Sequence, residues 1–283
     1  TVVMGVVTAR SAGVLDVAVC SPPAAADAQV HPTILAACRL CGVQRVYRMG
    51  GAQAIAALAY GTETVGPVDV IVGPGNLYVQ EAKRQLSSVV GIDGFNGPSD
   101  LLVVLGLGCS ESDVRCAALD LLAQAEHGEG SLIVAASADA SLLAALAETL
   151  EAMAAERPTV GDAVAATVEV GSDREAIAFA NAFAPEHLEL IGPGVEALAG
   201  SVTAAGCLFV GVESATAFGD YVAGSNHVLP TDGAARFSST LSARQFSRRM
   251  AEVRITQAAV PRLADAGARI ARAEGFEVHA ESM

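Results

Sequence analysis

Residues 16–20 (DVAVC), 46–49 and 68–72 (VDVIV) are short β-branched runs, and apolar helical stretches at 33–41 and 52–60 lie between them, closed by Gly42 and Gly61. Such a series can bury both kinds of element only by laying the strands parallel and covering them with helices. The last of these strands runs into Gly73-Pro74-Gly75-Asn76 before a helix at 78–86. A second series follows: LLVVL at 101–105, a helix at 112–127, a strand at 132–136 and an Ala-, Leu- and Glu-rich helix at 140–156. After Pro158 come a strand at 166–170, a helix at 173–183, a strand at 188–191, a short helix and a strand at 206–210. The expected fold is α/β, two Rossmann-like parallel-sheet units followed by a small helical C-terminal segment. The expected divisions are 1–97, 98–240 and 241–283. The last is too small to bury a core of its own and must pack on another surface.

Hydrophobic residues make up 52% of the 283 and aromatics 4%, with no Trp, so the core is to be built from Ala, Val, Leu and Ile rather than from rings. General disorder is excluded by the same figures. The formal charge of −14 repels a phosphate backbone and excludes nucleic acid as a partner. No apolar run reaches the roughly 18 to 20 residues that cross a bilayer, so a soluble, non-membrane protein is expected. The sequence TVVMGVVTARSAG opens without Met and without the pattern of a signal peptide, and reads as a cut edge. Cysteines at 20, 38, 41, 109, 116 and 207 sit mostly in apolar segments, which suits reduced, buried thiols of a cytoplasmic protein. Cys38 and Cys41 form a CxxC with no second pair to complete a zinc knuckle, and are assigned to core packing.

Four of the five histidines stand near another polar group that can ligate a metal or move a proton. Gln124 and His127, three apart in LLAQAEHG, share a helix face and can address one ion; a surface helix end with His127 at the negative pole of the dipole explains them as well. Glu186-His187 follows Pro185 between a helix and a strand, and can project into a cleft as acid and base. Asp220 and His227 bracket GDYVAGSNH, a loop able to fold back on one metal, although a satisfied Asp and a surface His account for it equally. His279 lies five residues after Glu274 near the chain end. The glycine turn at 73–76 favours an anion at a helix N-terminus, or is simply a tight βα turn; no GxGxxG occurs. The stretch 219–240, rich in Gly, Ser, Asn and Pro, reads as a site-building loop.

GGAQAIAALAYGTETV (50–65), VGPGNLYVQEAKRQL (72–86), GPSD (97–100), LLAQAEHG (121–128), FAPEHLEL (183–190), GDYVAGSNHVLPT (219–231), ARFSSTLS (235–242) and AEGFEVHA (273–280) follow one another here. Their order and spacing resemble those of the histidinol dehydrogenase family over nearly the whole chain, which matches the family's last two-thirds. The resemblance implies oxidation of L-histidinol through L-histidinal to L-histidine, with one zinc ion per subunit and NAD, in a cytoplasmic homodimer. It further implies Gln124, His127, Asp220 and His279 as metal ligands, the last supplied to the partner's site. His187 then matches the base, and Glu186 the group that activates water. Ser99, His227 and Glu274 match substrate contacts alongside the four ligands and His187, and Gln53 and Asn76 match residues near the nucleotide. On this reading 1–97 is the nucleotide side, 98–240 carries the metal and catalytic residues, and 241–283 packs on the partner. One departure is Asp100, where the family commonly has Glu. A paralogue acting on another small polyol and an inactive metal-binding pseudoenzyme are the alternatives. A metallohydrolase is disfavoured, since no HExxH occurs.

Overall fold

The computed structural model describes residues 1–283 except 25–27, 96 and 129. It forms two compact units, Thr1–Ser247 and Arg248–Met283. In chain order the first unit begins with α1 (Val2–Ser11), β1 (Ala18–Cys20), α2 (Pro32–Leu40), β2 (Arg45–Tyr47), α3 (Gly51–Tyr60), β3 (Val70–Ile71), α4 (Leu77–Leu86) and β4 (Gly91–Ile92). There follow β5 (Asp100–Leu105), α5 (Glu111–Ala125), β6 (Leu132–Ser137), α6 (Ala140–Ala154), β7 (Val164–Glu169), α7 (Asp173–Phe183), β8 (His187–Ile191), α8 (Pro193–Glu196), β9 (Cys207–Val210) and α9 (Thr216–Tyr221). The second unit holds α10 (Val260–Ala273) and α11 (Glu277–Glu281).

Every strand pairing is parallel, as the βα alternation requires. The early strands are shorter than their apolar runs and pair as two separate ladders, β1 with β2 and β3 with β4. The later strands make one five-stranded sheet in the order β7-β6-β5-β8-β9. Its middle strands, β5 (DLLVVL) and β8 (HLELI), are buried along their whole length, so they read as continuous apolar runs rather than as alternation. Side chains nonetheless alternate between two cores. Leu101, Val103 and Leu105 pack with α5 and α6, whereas Leu102, Val104, Leu188 and Leu190 pack with Ala176, Ile177 and Ala180 of α7. The odd-numbered residues of β8, His187 and Glu189, therefore face α5.

Local sequence sets the helix starts. Ser110 and Asp113 form a reciprocal capping box on α5, Ser172 caps α7 and Asp139 caps α6. His31 caps α2, its Nδ1 accepting from the Thr33 amide. Helix α5 stops two residues short of the sequence expectation, so His127 lies in the turn after it. All six cysteines are free; Cys38 is buried and the other five are only half-buried, less than the apolar surroundings suggested. No described helix is long and apolar enough to cross a membrane.

Candidate active site

The site residues collect at the amino ends of β5 and β8. Ser99 immediately precedes β5, and Glu186 immediately precedes β8. Helix α5 runs back across the sheet, which brings its carboxyl end, with Gln124, to the same edge. Helix α7 ends on Ala184, a non-glycine residue held at φ 54 with no exposure. Left-handed backbone is costly there and persists because the surroundings fix it. With Pro185 next, this turn delivers Glu186 and His187 to the edge of the sheet.

Three side chains form one hydrogen-bonded chain, and His187 and Asp100 flank its end. Gln124 Nε2 donates to Ser99 Oγ (2.6 Å), and Ser99 Oγ donates to Glu186 Oε2 (2.5 Å). Glu186 Oε2 also accepts from the Asp100 amide (3.1 Å) and stands 3.7 Å from His187 Nδ1. Asp100 returns the contact, its Oδ1 accepting from the Glu186 amide at 2.8 Å. His187 Nδ1 lies 3.3 Å from the Asp100 carbonyl, a partner that can only accept, so the proton of the neutral ring belongs on Nδ1. Its Nε2 is then a free base, and it faces Asp220 Oδ1 at 3.8 Å.

Burial and charge tune these groups in opposite senses. Burial raises Glu186, and the His187 charge and the Ser99 hydrogen bond offset this only in part. For His187 burial pulls downward, but the facing Asp220 carboxylate and the Glu186 charge outweigh it, and the imidazole ends above its ordinary value. Burial would raise Asp220, yet its contact with His187 and the charges of His187, His227 and His127 bring it below the carboxylate range. Asp100, mostly through burial, is pushed up to about 6.

Ser99, His127, Glu186, His187, Asp220 and His227 line one cavity of about 330 Å³, together with Pro74 and Gly75 of the glycine turn. His227 Nε2 is 2.8 Å from Thr1 Oγ1. Gln124 is buried behind Ser99 rather than on the cavity wall. Gln53 is exposed in the first turn of α3. Asn76 is exposed at the start of α4, where its Oδ1 accepts from the Val79 amide. Glu274 follows α10, and His279 lies on α11 beside Phe276, both in the second unit. Spacing alone did not single out Asp100 as the partner of Glu186 or Asp120 as a buried acid. For Asp100 the available signal was a polar residue opening an otherwise wholly apolar strand; Asp120, inside α5, carried none.

The donors suit a divalent metal: an imidazole, a carboxylate and an amide oxygen. Gln124 spends its NH₂ on Ser99, and its oxygen, the atom a metal takes, accepts no hydrogen bond from the described residues. No three described His, Cys, Asp or Glu side chains converge as a ready-made metal cluster. A set with one His and one Asp from this unit does not require that. The glycine turn is a close-approach cradle, since a Cβ on Gly75 would stand 2.4 Å from Val79 Cγ1. Such a turn before α4 fits a nucleotide's phosphates.

The histidinol dehydrogenase sequence profile matches residues 1–283. The chain is 42% identical over 289 residues to the histidinol dehydrogenase of Gluconobacter oxydans and 44% identical over 290 to that of Ruegeria pomeroyi; each alignment covers 100% of this chain and 66% of the relative. The crystal structure of histidinol dehydrogenase from Elizabethkingia anophelis superposes with a TM-score of 0.91 at 33% identity, covering 100% of this chain and 66% of that one. The chain thus spans about 66% of the length of these relatives. It belongs to the histidinol dehydrogenase family.

Proposed function

We propose that the whole protein oxidises L-histidinol through L-histidinal to L-histidine with zinc and NAD, acting as a cytoplasmic homodimer. The observation that carries this reading is the convergence of Ser99, His127, Glu186, His187, Asp220 and His227 on one cavity. Gln124, His127 and Asp220 would hold the metal from this chain, and His279 of a second copy would complete the set. When bound, zinc would supply an anchor for the imidazole and amine of histidinol, and NAD would supply the hydride acceptor. Asn76 and Gln53, flanking the glycine turn and opening α3, would contact the nucleotide.

His187 supplies the proton chemistry of the alcohol. Its Nδ1–H is held on the Asp100 carbonyl, so Nε2 accepts the hydroxyl proton as hydride leaves carbon, and the facing Asp220 stabilises the imidazolium. Glu186 is held by Ser99 and Asp100 in one orientation, and takes a proton from the water that adds to the aldehyde. Burial raises this carboxylate above its ordinary value, which makes it a stronger base when ionised. His227 and Glu274 would complete the substrate contacts. The dimer has physical support in the second unit, which leaves Val260, Leu263, Ile270, Phe276 and Val278 exposed and cannot bury a core of its own.

The test is NADH formation by the whole protein with L-histidinol against other small diols and amino alcohols, before and after chelation. Turnover of histidinol that chelation removes and zinc restores is expected. Absence of histidinol turnover refutes the reading, and preference for another diol points to the paralogue.

A further inference from the structure

Among the described residues, Glu189 is a buried acid that the proposed chemistry does not use. Glu189 follows His187 by two residues on β8, so both point towards α5. It is fully buried, between Val103 of β5 and Phe209 of β9 in register. Neither carboxyl oxygen meets a hydrogen-bond donor among the described residues. The polar group that bears on it is a second buried acid, Asp120 of α5. Two carboxylates pressed together away from water cannot both stay ionised, but one shared proton satisfies both.

The rest of the surroundings decides which acid keeps that proton. Asp120 Oδ1 accepts from the Thr216 amide (3.1 Å) and the Thr216 hydroxyl (3.2 Å), both of which favour its charged form. Glu189 has no such donors, and burial together with the Asp120 charge pushes it up to about 9. Glu189 is therefore the donor and Asp120 the acceptor.

Three site-bearing elements meet at this pair. Thr216 is the first residue of α9, which carries Asp220. Asp120 precedes Gln124 by one turn on α5, and Glu189 shares a strand face with His187. We infer that Glu189 is a positioning residue: it hydrogen-bonds Asp120, whose carboxylate fastens the start of α9, and so holds Asp220 opposite His187 Nε2. The inference rests on the proposed reading of the cavity.

The test uses the whole protein as wild type, Glu189→Gln and Glu189→Leu, with two readouts. Infrared difference spectra in the carbonyl-stretch region detect a protonated buried carboxyl without regard to activity, and NADH formation from L-histidinol gives kcat and KM. At about pH 8, above the value to which Asp100 is raised and below that of Glu189, the wild type should show the protonated-carboxyl band and both variants should lose it. Gln replaces the lost O–H with an N–H donor and should keep kcat within about threefold, whereas Leu leaves Asp120 unsupported and should lower kcat roughly tenfold or more at nearly unchanged KM. A folded Glu189→Leu variant with wild-type kcat overturns the inference, as does a band that survives in Glu189→Gln. If Glu189→Leu does not fold, Glu189→Gln decides alone, since an inactive Gln variant also refutes the positioning role. A wild type that forms no NADH from histidinol defeats the functional reading instead, and the infrared band still tests the pair.

Discussion

Among the described residues Lys83 is the most deeply buried of the lysines and arginines, and Lys83→Met puts a magnitude on what it does. Its side chain is 1% exposed and that of Asp93 2%, with Nζ 2.6 Å from Oδ1. Lys83 Nζ also donates to the Gly73 carbonyl (2.5 Å), while Asp93 Oδ2 accepts from the Gly73 amide (2.7 Å). The pair thus clips the glycine turn from both sides. Met matches the length of the lysine stem, so packing is nearly kept, but two of these contacts vanish and Asp93 is left buried with one donor. Removing one partner of a buried, hydrogen-bonded pair costs about 3–5 kcal/mol. Urea unfolding followed by circular dichroism and tyrosine emission reads this, because the chain has no Trp and three of its four Tyr, at 47, 60 and 78, lie near this turn in sequence. At m-values of about 1–3 kcal/mol/M the midpoint should fall by about 1 M or more with the slope unchanged. Lys83→Met/Asp93→Leu should recover much of the loss, since an apolar pair carries no desolvation cost. A cost below about 1 kcal/mol for Lys83→Met would refute the reasoning, because it would mean that water or another group replaces the ammonium at once.

Ser99→Ala removes the hydroxyl that favours the charged form of Glu186, so the Glu186 carboxyl rises further and the acid limb of the kcat–pH profile should move to higher pH; an unmoved limb contradicts the assignment. Glu186→Gln should retain histidinol oxidation to the aldehyde and lose its conversion to histidine, which rapid-quench product analysis separates; loss of both halves together would refute the division of labour. Gly206→Ala should impair the site from the backbone, because a Cβ there would stand 2.5 Å from the Glu186 carbonyl oxygen; overpacking of this kind costs about 1–3 kcal/mol and should lower both thermal midpoint and kcat. Glu189 is raised on folding, so the folded chain holds a proton that the unfolded chain releases, and this costs stability progressively as pH rises above the ordinary glutamate range. Glu189→Gln should therefore gain stability over the wild type between about pH 5 and pH 8 in denaturant titrations, and a constant difference would contradict the shift.

The later sheet was legible because β5 and β8 are buried on both faces, and an unbroken apolar run is what such a position demands. The early strands were overextended: 16–20 and 68–72 look like full strands, but pairing ends after three and two residues. Helix α1 went unread, since VVMGVVTARS mixes β-branched residues with a glycine and shows no apolar face. In the site, Glu186-His187 stood out because Pro185 marks a turn. The Gln124–Ser99–Glu186 chain did not, because it joins residues 25 and 87 positions apart, and only the β5–β8 pairing and the return of α5 across the sheet bring them together. Glu189 was hidden for the opposite reason: an acid in a strand usually faces water, and its burial follows from β9 covering what would otherwise be an edge.

The proposed function depends on Gln124, His127 and Asp220 closing on one cation, and anomalous scattering from crystals of the zinc-loaded whole protein tests that directly. It predicts a single strong peak per subunit within about 2.0–2.2 Å of the Gln124 amide oxygen, a His127 ring nitrogen and an Asp220 carboxylate oxygen. A peak elsewhere, or these three side chains left uncoordinated in an active, zinc-replete protein, would contradict it.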